Sequence, residues 1–190
     1  MKTKMTILPL RNSVNHGALR RGVLLIALTL AAFALSPTAR AQLSSTSEMA
    51  GGGSVFQGTV RITHGFEVHC GSAINDNNLD INCGPDKKRH HFQLDPVLIS
   101  SDCFYDPSVG SPNPPPAGFN TIVGDGTGTL DGKSGATIHF TFTDAGEPGG
   151  TNGTPPPDTA AFLITDASGN VVLSVPRTAL TYGNHQALSQ

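Results

Sequence analysis

The feature that most constrains this chain is an alternation of period two. In "GATIHFTFTD", Ile138, Phe140 and Phe142 alternate with His139, Thr141 and Thr143. Side chains two apart leave the same face of an extended strand, so one face is apolar and the other polar. "GTVRITHGFEVHC" sets Val60, Ile62, Phe66, Val68 and Cys70 on one face, "NLDINC" does the same with Leu79, Ile81 and Cys83, and "HFQLD" with Phe92 and Leu94. "TAAFLITD" and "VVLSV" read as a hairpin turned at Ala167 to Asn170, and "LDGKSG" as a second, with Asp-Gly supplying positive φ angles. Gly, Pro, Asn and Asp punctuate these runs, and no segment carries a helical stripe. The pattern predicts an all-β fold, a single antiparallel β-sandwich of immunoglobulin-like or jelly-roll-like type over residues 55–190. The proline-rich stretches "GSPNPPPAG" and "GEPGGTNGTPPPD" are expected to be surface loops, because proline has no amide hydrogen for a ladder.

The chain opens on a polar leader with Lys2, Lys4, Arg11, Arg20 and Arg21, followed by the apolar run Gly22 to Leu35 and then "SPTARAQ". That order predicts a secretory signal peptide over residues 1–41, cut after Ala41. Its fourteen apolar residues rise only about 21 Å as a helix, short of the ~30 Å a membrane anchor needs. "RRGVLL" fits twin-arginine export as well as general secretion. "QLSSTSEMAGGGS", residues 42–54, has no periodicity and reads as a flexible tether. Removing the leader changes the charge. All fourteen acidic residues follow Ala41, but only six of the twelve Lys and Arg do, so the mature chain carries −8 rather than −2. Such a surface repels phosphate backbones and anionic lipid, which argues against nucleic-acid and peripheral-membrane functions. The expected location is periplasmic or secreted.

Three cysteines in an exported chain suggest one disulfide and one thiol. A hairpin around "NDNN" sets Cys70 opposite Leu79 and leaves Cys83 roughly 13 Å away, too far to bridge. The next strand, bent at Pro96, carries Cys103 back towards Cys70. The expected bridge is therefore Cys70 to Cys103, with Cys83 a small buried hydrophobe. In that register Glu67 faces Asn82, His69 faces Asp80, and His91 follows on the third strand, so these side chains share an outward polar face. That face reads as solvated cross-strand pairs rather than a metal site. Calcium is the more plausible ion, with Asp125, Asp131, Asp144, Glu147 and Asp158 on Gly-rich or Pro-rich loops, although the EF-hand ladder is absent.

"HGFEVHC", "LDINCG", "HFQLDPVLISSDCFYDP", "GTGTLDGKSGATIHFTFTDAGEPG", "DTAAFLITDASGNVVLSV" and "GNHQAL" together resemble bacterial secreted modules of the post-COAP type, over about Val60 to Leu188. The resemblance implies an extracellular β-sandwich without assigned catalytic residues. The chain itself has no nucleophile elbow, phosphate-binding loop or dinucleotide fingerprint. Sugar platforms usually need flat aromatic rings, and there is no Trp and only Tyr105 and Tyr182. The leading expectation is a secreted, non-catalytic module making structural or adhesive contacts with a protein or surface partner, without a cofactor. The alternative is a calcium- or carbohydrate-binding module. The three classes need different structures: an interaction module an apolar or edge-strand patch, a calcium module converging loop oxygens, a hydrolase a cleft with perturbed carboxylates.

Overall fold

The computed structural model describes residues 47–71, 76–85, 89–110, 115–147 and 156–189. The leader, residues 42–46 of the expected tether and parts of both proline-rich stretches (111–114 and 148–155) lie outside the described residues. Nine strands follow one another: β1 Glu48–Gln57, β2 Val60–His69, β3 Asn78–Cys83, β4 His90–Phe104, β5 Thr121–Leu130, β6 Lys133–Thr143, β7 Thr159–Thr165, β8 Val171–Ala179 and β9 Tyr182–Leu188. All belong to one antiparallel sheet in the order β8-β7-β6-β5-β4-β3-β2-β1-β9.

The all-β expectation holds, but the described strands form one sheet curled into a half-barrel instead of two facing sheets. The bend lies in β4, whose pairing with β5 slips between Leu94 and Leu98 and again between Leu98 and Ser100. Bulges there, beside Pro96, turn the strand without breaking the ladder, so the sheet folds over on itself. Its two edges, β8 and β9, are consecutive in the chain and joined only by Leu180 and Thr181. Leu180 donates its amide to the Asp158 carbonyl and Thr181 to that of Ser54. Across the opening, the Gln57 side-chain amide on β1 donates to the Ser174 carbonyl on β8 at 3.0 Å.

One core cluster fills the concave side, with Met49, Ile62, Leu79, Ile81, Phe92, Ile122, Phe140, Phe142 and Phe162 all buried. After Ile122, the inward positions of β5 are Gly124, Gly126 and Gly128, and neighbouring side chains cover these glycines: a Cβ on Gly124 would meet Phe140 at 2.4 Å, and one on Gly126 would meet Leu94 at 2.5 Å. "GDGTGTLDG" is therefore mostly strand, not a loop. Only its end turns, at Asp131 (φ 53°) and Gly132 (φ 76°), the expected Asp-Gly hairpin. The other expected hairpin is also present, with the Asp166 amide donating to the Asn170 carbonyl.

β1 corrects the tether boundary. The β-domain begins at Glu48, not Val55, because "GGG" is the place where β2 and β9 approach most closely. A Cβ on Gly52 would lie 2.9 Å from the His64 carbonyl oxygen, and one on Gly53 2.5 Å from that of Tyr182. The β2–β3 register also differs: Leu79 pairs with Phe66, Glu67 with Asn78, and Asp80 with Gly65. The connection is longer than a tight turn about "NDNN". The slip is four residues, an even number, so every inward and outward assignment survives.

Candidate functional site

Pairing of β1 with β2 sets Glu48 directly opposite His69. Glu67 precedes His69 by two residues and so leaves the same outer face. His69 Nε2 lies 3.0 Å from Glu48 Oε2, with the two side chains 13% and 11% exposed, whereas Glu67 is exposed. One ligand atom from each of Glu48, Glu67 and His69 lies within 4.8 Å of the other two. Among the described residues no other group of three His, Cys, Asp or Glu side chains meets that criterion. The carboxylate can only accept, so Nε2 carries the proton in this contact. His69 Nδ1 is buried without a partner.

The backbone beneath this cluster is held from several directions. The Cys70 amide donates to the Ser47 carbonyl at 2.9 Å. The His69 amide donates to Asn77 Oδ1 at 2.8 Å, and Ser101 Oγ donates to the His69 carbonyl at 2.8 Å. Cys70 itself is disulfide-bonded to Cys103, with Cα atoms 5.5 Å apart. This is the expected bridge, and Cys83 is the buried free thiol. Burial, and then the charge of Asp131, push that thiol's pKa up.

The sequence places Glu67, His69, Asp80 and His91 outward, as the structure does, but with different partners. His91 pairs with Asp80 at 3.0 Å, both about half exposed, and His69 pairs with Glu48. The five carboxylates considered for calcium do not gather. Asp125 on β5 accepts from Ser100 Oγ and pairs with His139 at 2.8 Å. Asp131 pairs with His90 at 2.8 Å and accepts the His91 amide. Asp144 accepts the amides of Gly146 and Ala187, Glu147 accepts from Asn184 Nδ2, and Asp158 accepts the amides of Ala145 and His185. The last three are close enough for the charges of Asp144 and Glu147 to act on Asp158. They serve to hold β9 against the β6–β7 connection.

Two buried histidines were not singled out from the sequence. His64 and His185 meet Nε2 to Nε2 at 2.7 Å, packed against Phe66 and Phe142, with Phe162 edge-on to His64. His185 Nδ1 lies 3.1 Å from the Thr143 carbonyl oxygen, which can only accept, so that nitrogen carries the proton. His185 Nε2 is then an acceptor and His64 Nε2–H the donor. His64 Nδ1 remains a bare, buried acceptor without a partner. Desolvation lowers the His64 pKa to about 4 and that of His185 well below the usual imidazole value, the latter also through the charge of His64. Both are neutral core residues. The signal was present for His64, which has the parity of Ile62 and Phe66.

Asp158 is the strongly perturbed carboxylate, raised to about 7 chiefly by burial and secondarily by Asp144 and Glu147, against its two amide hydrogen bonds. It is fully enclosed, and a hollow of about 350 Å³ beside it is lined by Asp144 and Glu147 together with Pro116, Phe119 and Ala187. A surface hollow of about 670 Å³ is lined by Arg61, Thr63, Asn82, Cys83, Pro85 and Arg89, among others. Its described lining contains no carboxylate or imidazole. No protein-family model, curated protein or solved structure matches the chain.

Proposed function

We propose that this chain is an exported, non-catalytic β-module that acts through contacts with a protein partner outside the cytoplasm. The observation that carries the reading is on β4, where Val97 and Ile99 are 52% and 62% exposed on either side of the buried Leu98. Leu98 keeps the inward parity of Phe92 and Leu94, so period-two alternation turns Val97 and Ile99 outward. Leu163 on β7 and Val171 on β8 are exposed apolar residues elsewhere on the sheet, separated from β4 by the paired Asp125 and His139. Exposed apolar surface on a sheet is what an interaction module requires, whereas the five calcium carboxylates do not converge on one centre and the perturbed carboxylate is itself enclosed.

Export is supported by the Cys70–Cys103 disulfide and by the leader. Among the described residues no helix is long and apolar enough to cross a membrane. The resemblance to secreted modules of the post-COAP type points the same way. The test is site-specific photo-crosslinking in an exporting cell, with a photoreactive residue at position 99 and, as a control, at Ser168 in the β7–β8 turn. A discrete adduct from position 99, lost in Val97→Asp, is expected. Labelling at position 99 no different from that at Ser168 would overturn the reading. An adduct of twice the chain's mass would make the partner a second copy.

A further inference from the structure

We propose that Glu48, Glu67 and His69 bind one divalent transition-metal ion of the zinc class. Two carboxylates and an imidazole are a mixed oxygen and nitrogen donor set suited to such ions. Metal–ligand bonds of about 2.1 Å in a tetrahedral arrangement separate neighbouring donors by roughly 3.4 Å. The three donors already lie within 4.8 Å of one another, and the closest pair is 3.0 Å apart. Admitting an ion requires that pair to open by a few tenths of an ångström and the exposed Glu67 side chain to swing inward. The backbone itself need not move.

That backbone is unusually well fixed for an outer sheet position. Glu48 and His69 are opposed by the β1–β2 register. The Ser47 carbonyl, Asn77, Ser101 and the Cys70–Cys103 bridge tie down the residues beside them. Donors held in place before the ion arrives do not have to be ordered by it. Glu48 and His69 are mostly buried, so their mutual field is less screened than at the open surface. Glu67, on the solvent side, leaves an entry route and a fourth position for water. The ion takes the lone pair of His69 Nε2, so the ring's one proton moves to Nδ1, and protonation of the ligands competes with binding.

Among the described residues, Arg89 precedes His90, which pairs with Cys83; the adjacent Asn82 pairs with Thr63, six residues and about 20 Å along β2 from His69. The mature chain's net negative charge favours cation approach.

The inference is independent of the β4 patch and is tested on the disulfide-bonded, exported chain. Calorimetric titration with Zn²⁺ should give one ion per chain, with binding weakened at low pH. Glu67→Gln, an exposed change that should leave metal-free thermal unfolding intact, is expected to weaken binding tenfold or more, as is His69→Ala. Asp80→Asn combined with His91→Ala should leave it unchanged. Substituted Co²⁺ should give a visible absorption band in the native chain that Glu67→Gln alters. Absence of stoichiometric uptake would overturn the proposal. So would affinity unaffected by both Glu67→Gln and His69→Ala, or affinity lost in the Asp80/His91 variant.

Discussion

Protonating His64 would place a charge among Phe66, Phe142 and Phe162, beside a second imidazole 2.7 Å away. In the unfolded chain the same residue takes up its proton near pH 6.5, whereas in the fold it does so only near 4. A depressed folded value means stability that is present above 6.5 and lost as the pH falls towards 4. For His64 alone the loss is about 2 kcal/mol at pH 5, and His185 adds a loss of the same sign. Asp158 acts in the opposite sense. Its folded pKa is raised to about 7, so its contribution is present below its unfolded value of 3.8 and disappears as the pH rises through 7. Acidification from pH 7 to pH 5 therefore weakens the fold through two histidines and partly restores it through one aspartate. Urea unfolding at the two pH values should show Asp158→Asn losing more stability on acidification than the native chain does. Equal losses would mean that Asp158 does not titrate in this range.

At the scale of single strands, β5 and β1 show how glycine can specify packing while hiding the strand from a reader of the sequence. The strands β2, β3, β6, β7 and β8 were legible because large apolar side chains mark alternate positions, as in Ile138, Phe140 and Phe142. In β5 the inward positions after Ile122 are glycines covered by residues of β4 and β6, and in β1 three consecutive glycines erase the alternation between Met49 and Val55. The packing that explains them lies in other strands, so neither segment could be read locally. The candidate centre was half legible for the same reason. Glu67 and His69 were placed outward by parity, but Glu48 lay in the presumed tether. A contrast between two substitutions tests this account. A Cβ on Gly128 would lie 2.2 Å from the Gln93 carbonyl oxygen, while one on Gly65 meets nothing within 4 Å. Gly128→Ala should destabilise by about 1–3 kcal/mol or more through overpacking against rigid backbone. Gly65→Ala should stay within roughly 0.5 kcal/mol of the native chain. Similar melting temperatures for the two variants would contradict this packing.

For the molecule as a whole, the Cys70–Cys103 bridge joins β2 to β4 beyond the end of β3, which is too short to reach that far. With a sequence separation of 33, it should stabilise by about 3–4 kcal/mol in the loop-entropy model. Chemical unfolding of a Cys70→Ala, Cys103→Ala double variant should show most of that loss, and Cys83→Ala a much smaller one. A larger effect from Cys83→Ala would show that the bridge constrains the unfolded chain little. The connection between β8 and β9 has a kinetic meaning. Because β9 is the far edge of the sheet, Met49 in the first strand must wait for Ala187 in the last. Pairings so distant in the chain must be closed against a large loop entropy before they return any energy, which slows folding. Wherever the strands pair in chain order, β2 to β8 can assemble first, and β1 keeps an unpaired edge until β9 docks. Until then another molecule's β9 could fill that edge equally well, so the rate at which β9 docks decides between one chain closing on itself and two exchanging this strand.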